Sequence, residues 1–571
     1  MFHHFPKELG TDHYLVRSTS FHYHEKPIGS FITRVVQSGH RRHADGRYLT
    51  RSLPPLGLGY TTSPLEDPDF YDYPIREVDP ESLANLPGGI DGGNYRWIDL
   101  DGESISGVLT EQGDAWFYKP NLGNGRFGAV ETVIARPSIA ALTGGRQQLL
   151  DLAGDGNLDL VDLSPPAPGF HERTLDAGWK GFRAFRSVPV RDWSDPNLRF
   201  VDLTGDGIAD VLVTQNDAFT WHPSLLLEGF GPGIRVPVPL EEEKGPRVIF
   251  ADGTQSIYLA DMSGDGLSDL VRIRNGEVCY WPNRGYGQFG AKITMDQAPW
   301  FDEPELFDQR RIRLADTDGS GPTDILYLGR DGLKIFLNET GNGWSSARHL
   351  RQFPSVDNVA SITVTDFLGR GTACLLWSSP LPRELGRQLR YVDLMCGRKP
   401  HLLARISNNM GAETRIDYAS STEFYLADKL AGTPWVTRLP FPVHVVRRVQ
   451  TYDAVSRNRI VTRYSYHPRF LRRAGARVPW LRPGRPTGHR GFRDVSGGGR
   501  SGGGELGRRE QRAAGPYEDL VPHRCVPLGR SHLATPGTRV FCCAGRAGQA
   551  CRHHPAAWPD AVRGARGLPR A

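Results

Sequence analysis

Carboxylates are the side chains in this sequence that could do chemistry, and they recur in one setting. LDLAGDGNLDLV from Leu150, VDLTGDGIADVLV from Val201 and LADMSGDGLSDLVRI from Leu259 share a spacing: an aspartate, a glycine three residues on, an Asp-Gly pair and a further aspartate. Looser copies are WIDLDGESISGVL from Trp97, LADTDGSGPTDILYL from Leu314 and VTDFLGRGTACLLW from Val364. Acidic pairs could serve glycoside hydrolysis. Aspartates in tight turns already have a sufficient local task, however: their carboxylates accept hydrogen bonds from backbone N–H groups two or more residues on. Glycine supplies the positive φ that such a reversal needs. His3, His4, His13, His22 and His24 crowd the N-terminus, but without HExxH or a paired spacing they read as structural. No GxSxG occurs in residues 1–467, and a phosphate-binding GxxxxGK[ST] and a strand-to-helix GxGxxG are missing from the sequence. Cys279 falls in a strand-like run and is expected to be buried. These residues form no catalytic constellation, and the expectation is a protein that is not an enzyme.

The elements that must carry these turns follow from their period. The leading aspartates, Asp99, Asp151, Asp202, Asp261, Asp316 and Asp366, are spaced by roughly 50 to 60 residues. The flanks are β-branched and apolar, as in Asp210-Val211-Leu212-Val213, and predict buried strands. A second hairpin follows in most units, with an aromatic strand and a glycine turn: WFYKPNLGNGRFG from Trp116, YWPNRGYGQFG from Tyr280, KIFLNETGNGW from Lys334 and, more loosely, WHPSLLLEGFGPG from Trp221. One such unit cannot bury its apolar faces alone, whereas several arranged radially can. Six copies predict an all-β, six-bladed β-propeller; a linear solenoid is the rival, and the unit is long for a solenoid rung.

The repeats resemble the FG-GAP/VCBS units of integrin-type and bacterial surface propellers. In that family the acidic turn often binds Ca²⁺ through loop positions 1, 3, 5 and 9. The resemblance implies candidate ligands at Asp316, Asp318 and Asp324, and at Asp151, Asp155, Asp159, Asp202, Asp206, Asp210, Asp261, Asp265 and Asp269. Ca²⁺ takes six to eight oxygens, and position 3 is Ala, Thr or Ser in the last three loops. The favoured reading is therefore that these acids cap their own turns, and no cofactor is expected.

Charge divides the chain. Residues 468–571 hold 20 Arg, no Lys and 6 acids, a net of +14; subtracting these from the whole leaves 49 basic and 58 acidic residues, or −9, for 1–467. The overall +5 therefore does not indicate a nucleic-acid partner. Cys279, Cys374 and Cys396 imply no disulfide framework. No run of about 18 apolar residues is present to insert in a membrane, and MFHHFPKELG is not a signal peptide.

From Tyr391 the repeat gives way to further hairpins, with a turn at Asn409-Met410-Gly411 and strands over 414–418, 443–449 and 460–466. This block resembles the middle region of the B component of bacterial insecticidal toxin complexes (TcdB/TcB type, related to the SpvB proteins). The residues that carry the likeness are Leu402-Leu403, Ile406-Ser407-Asn408-Asn409, Gly411, Ser421-Thr422, Pro434-Trp435 and Leu439-Pro440-Phe441-Pro442-Val443. FHHFPKELG from Phe2 and YLVRSTSFHY from Tyr14 match the segment that precedes the propeller in that family. The resemblance implies four parts: 1–55, the end of an upstream SpvB-type β region; 56–390, the propeller; 391–467, the start of an RHS/YD-like β shell; and 468–571, a disordered tail. It implies that Met1 is internal to a longer frame. It also implies a secreted complex in which the propeller docks on and gates the pore-forming A component. The shell would enclose toxic cargo with the C component. Read one base out of frame, the tail from Arg469 regains the family's pattern, so a frameshift near His467–Pro468 is expected. The alternative is a free-standing extracellular propeller that binds carbohydrate or an adhesion partner, with or without Ca²⁺.

Overall fold

A computed structural model describes residues 2–3, 7, 14–67, 73–113, 115–133, 146–174, 177–254, 256–350, 359–435, 438–467 and 487–490. All fall within one compact unit, 1–494. Apart from the short strand Thr487–Arg490, the expected disordered tail lies outside the described residues.

Six four-stranded antiparallel sheets account for the repeats. In chain order, blade 1 is Tyr95–Ile98, Gly107–Gln112, Ala115–Lys119 and Glu131–Thr132, and blade 3 is Leu198–Val201, Asp210–Thr214, Ala218–His222 and Ile234–Pro237. Blades 2, 4 and 5 open on Gln147–Leu150, Ile257–Ala260 and Ile312–Ala315. Blade 6 takes Ser361–Thr365, Cys374–Ser378 and Leu389–Asp393, and its fourth strand comes from far upstream: Arg76–Glu77 pairs with Tyr391 and Arg390. That pairing closes the ring and rules out the open solenoid.

The energetic reason for closure is that neighbouring blades share their cores. Leu212, Phe219 and Trp221 of blade 3 pack with Leu270, Cys279 and Trp281 of blade 4. Blades 4 and 5 share Val271, Tyr280, Ile325 and Phe336, and blades 6 and 1 share Leu376, Tyr391, Val108 and Phe127. Second strands are apolar on both faces because both faces meet a neighbour; Asp210–Thr214 is buried throughout.

Apart from a two-stranded sheet of Phe2–His3 and Tyr14–Leu15, the remaining strands form a nine-stranded sheet in the order Arg17–Lys26, Gly29–Arg42, Leu56–Tyr60, Leu403–Ser407, Ala412–Ser420, His444–Asp453, Asn458–Arg463 and Thr487–Arg490, with Tyr48–Ser52 beside Gly29–Arg42. The sequence reading separates 1–55 from 391–467 and begins the propeller at 56. Here Leu56–Tyr60 instead belongs to the large sheet, where Leu58 faces Ile406. The propeller is thus an insertion within one sheet. The reading of 391–467 as strands alone also misses the helix Ser421–Leu430. Its start was encoded as Ser420-Ser421-Thr422-Glu423, a capping-box spacing, and the Ser420 hydroxyl accepts from the Thr422 N–H.

Candidate functional site

The aspartate turns join the first and second strands of each blade, and the glycine turns join the third and fourth. In an antiparallel blade both lie at the same end of the ring. They are tied together: the Asp210 carboxylate accepts from Ser224 N at 2.7 Å and Leu203 N at 3.3 Å, and Asp269 accepts from Asn283 N at 2.8 Å and Met262 N at 3.0 Å.

The leading aspartates close their own turns. Asp151 accepts from Gly154 N and Gly156 N at 2.7 and 2.8 Å, Asp202 from Gly205 N and Gly207 N at 2.7 Å each, and Asp261 from Gly264 N and Gly266 N at 2.7 and 2.8 Å. The middle acids cap locally too: Asp155, Asp206 and Asp265 accept from Asn157, Ile208 and Leu267 N–H. Burial pushes Asp159 up to about 7, and Asp210 and Asp269 up to about 6, despite the backbone donors.

Blade 5 differs. Carboxylate oxygens of Asp316, Asp318 and Asp324 lie within 4.8 Å of one another, the one such acidic group among the described residues. Most of their capacity is spent on protein. Asp316 and Asp318 accept from Ser320 N at 3.0 and 2.9 Å, and Asp324 from Asn338 N and Thr317 N at 2.8 and 2.9 Å. Side chains from beyond the propeller already reach this loop: Lys399 Nζ donates to Gly319 O at 3.0 Å, and His401 Nε2 stands 3.6 Å from Asp318 Oδ2. Burial works to raise Asp318, but the His401 and Ser320 contacts outweigh it and hold its carboxyl below the ordinary range. Burial, then the Asp318 charge, drives Asp324 well above that range. This donor set suits turn capping and a protein cation better than a hard metal that wants six or more oxygens.

The same block covers other turns. Lys429 pairs with Glu103, which is 1% exposed; Ser104 Oγ donates to Leu439 O; and His444 Nε2 lies 2.8 Å from Arg370 O. Sequence reasoning missed Lys399, His401, Lys429, Arg438 and His444, which sit in no repeat. Of the N-terminal histidines, His22 and His24 lie on an exposed edge strand, and Cys279 is fully buried.

The family model of the insecticide toxin TcdB middle/N-terminal region matches residues 348–475. A structure of the Photorhabdus luminescens Tc holotoxin pore is 29% identical with a TM-score of 0.68, covering 82% of this chain and 21% of that chain. A crystal structure of TcdB2-TccC3 without its hypervariable C-terminal region is 28% identical with a TM-score of 0.57, covering 81% and 21%. These matches support a TcdB-type B-component fragment. It spans about a fifth of the length of the solved TcdB-type chains it matches. No curated protein matches the chain. Among the described residues, the block after the propeller meets the ring at its aspartate-turn end.

Proposed function

We propose that this chain is a non-enzymatic structural portion of a secreted Tc-toxin B component, whose propeller docks on the pore-forming A component at the end opposite the aspartate turns. The carrying observation is where the ring exposes apolar surface. Among the described residues its four most exposed large apolar side chains are Val190, Leu240, Leu385 and Trp300, at 102, 89, 85 and 70%. All four lie on connections between second and third strands or between blades, and therefore at that one end. Exposed apolar side chains gathered on one face of a soluble ring fit a protein partner. The large sheet at the other end fits the beginning of a shell that, with the C component, encloses cargo; sheet closure would remove its exposed edges.

Co-purification with an A-type component tests the docking. Trp300→Ser with Leu385→Ser is expected to abolish it, while Tyr286→Ser, exposed at the aspartate-turn end, leaves it intact. Docking that survives the first pair would overturn the reading. The proposal extends to a loss of frame near His467, and the nucleotide sequence there decides it: a single intact frame through Pro468 rejects it.

A further inference from the structure

The strands ahead of the propeller reverse the charge of the body they belong to. Residues 14–52 hold seven Arg or Lys and two acids, a net of +5, whereas 1–467 as a whole carries −9. Strand register decides which of these cations meet. Gly39 stands opposite Arg17 on one side and Arg51 on the other, and Arg41 stands opposite Leu49. Residues opposed across an antiparallel pair share a face, and every second residue along a strand returns to it. Arg17, Arg41 and Arg51 therefore rise from one face of the large sheet around Gly39. Arg41 and Arg51 are diagonal neighbours, about 7–8 Å apart at the backbone. All three are exposed, and the glycine leaves the middle open: a Cβ added at Gly39 would meet only Arg51 O, at 4.0 Å. The result is a shallow cavity of about 420 Å³ bounded by Gly39, His40, Arg41, Leu49 and Arg51.

Two contrasts set this face apart. On the other face of the same three strands, polar side chains satisfy one another. Ser18 Oγ lies 2.8 Å from His40 Nε2, His40 Nδ1 2.9 Å from Thr50 Oγ1, and Ser38 Oγ 2.8 Å from Ser52 Oγ. Farther across the sheet, arginines have acids beside them: Arg405 and Arg415 pair with Glu413, Arg448 with Asp417 and Arg447 with Glu423. Among the described residues no acid pairs with Arg41 or Arg51; Asp45, at the turn between their strands, lies 3.9 Å from Arg47 instead. Like charges on adjacent strands repel, and a bound anion would offset that cost.

We infer that Arg41 and Arg51, flanked by Arg17, form a binding site for a phosphate monoester. The guanidinium fork matches phosphate oxygens through paired N–H donors. A monoester carries about −1.5 to −2 charges at neutral pH, which two arginines balance, whereas a singly charged sulfate ester leaves one uncompensated. Arg17, whose guanidinium also donates to Gln37 Oε1, adds a longer-range attraction. Leu49, 48% exposed, gives the organic part of the ester an apolar wall. A soluble ester and phosphatidic acid in a bilayer share this chemistry.

The test uses the 571-residue chain and phenyl phosphate, followed by isothermal titration calorimetry at low salt and neutral pH. Phenyl phosphate is expected to bind, and phenyl sulfate several-fold more weakly. Arg41→Gln with Arg51→Gln is expected to weaken phenyl phosphate by about tenfold or more. Arg457→Gln with Arg459→Gln, on a hairpin at the far side of the same sheet, leaves it unchanged. Gly39→Glu places a carboxylate between the arginines, so it should abolish binding while the melting temperature holds or rises, which separates loss of the site from loss of the fold. Sedimentation with vesicles of phosphatidylcholine, alone and mixed with phosphatidic acid, distinguishes the sources. Capture by the mixed vesicles that the Gln pair abolishes supports a site open to a lipid headgroup; phenyl phosphate binding without capture supports a site for a soluble ester. Absence of phenyl phosphate binding overturns the inference, as does equal binding by parent and Gln variant or equal binding of phenyl sulfate.

Discussion

Blades 5, 6 and 1 and blades 3 and 4 are built on the same aspartate turn, yet the two halves of the ring differ in what lies over it. A Cβ added at Gly102, Gly123, Gly319, Gly369 or Gly371 would meet Arg438, Leu426, Lys399, Thr422 or His444, all from the block after the propeller. One added at Gly205, Gly264 or Gly285 would meet only ring residues, and at Gly207 or Gly266 nothing within 4 Å. The turn is therefore self-sufficient: its carboxylates close it equally well in both halves, and cover by the sheet is a separate addition. In the covered half the sheet contributes cations to acidic loops and apolar side chains to glycine turns. In the open half Leu225, Leu226 and Tyr286 remain exposed at 40, 45 and 67%.

The largest expected effect that separates the halves is a cavity. Leu426 is buried with Tyr425 and Trp435 over blade 1, so Leu426→Ala should cost about 2–4 kcal/mol in urea unfolding. Leu226→Ala in the open half should stay within about 0.5 kcal/mol. Equal costs would mean that the sheet does not brace the ring. Next comes charge. Lys429→Met strands the buried Glu103 carboxylate; removing one partner of a buried pair costs about 3–5 kcal/mol, and since Lys429 is itself 38% exposed about 2 kcal/mol is expected. Asp206→Asn in the open half should cost under about 1 kcal/mol.

A smaller contrast lies in the glycines. Gly371 and Gly266 have φ of +68° and +87°, so alanine carries a left-handed penalty of about 1 kcal/mol at either. At Gly371 the new Cβ would also sit 2.5 Å from the His444 ring, so Gly371→Ala alone should speed amide exchange in His444–Asp453. The smallest effect is on pH. Asp210 titrates near 6 because it is buried, so the folded state holds its proton more tightly than the unfolded chain. This group's contribution to stability is therefore greatest at low pH and falls as pH rises from the ordinary carboxylate range through about 6. Asp210→Asn should flatten the change in unfolding midpoint between about pH 4 and about pH 6. Asp318, held low, behaves oppositely: its contribution is present at neutral pH and is lost only as pH falls below the ordinary aspartate value.

The repeat, its strands and the self-capping aspartates were legible because each is a local pattern: Asp202 bonds Gly205 and Gly207, partners within one turn. Lys399, His401 and Lys429 were not, since nothing in their own sequence neighbourhood marks them as partners of Gly319, Asp318 and Glu103, which lie about 80 to more than 300 residues earlier. The helix Ser421–Leu430 carried its capping signal, but a hydrophobic pattern shared with the flanking hairpins hid it.

Taken alone, the sequence determined six units, the hand of each turn and the apolar strands, because Gly, Asp and β-branched residues act on backbone within a few positions of themselves. Only the tertiary structure decided that Arg76–Glu77 completes blade 6, that Leu56–Tyr60 and Leu403–Ser407 are neighbours in one sheet, and which blades that sheet covers. Strand pairing across hundreds of residues is set by which faces remain to be buried once the local units have formed, and that depends on the whole ring.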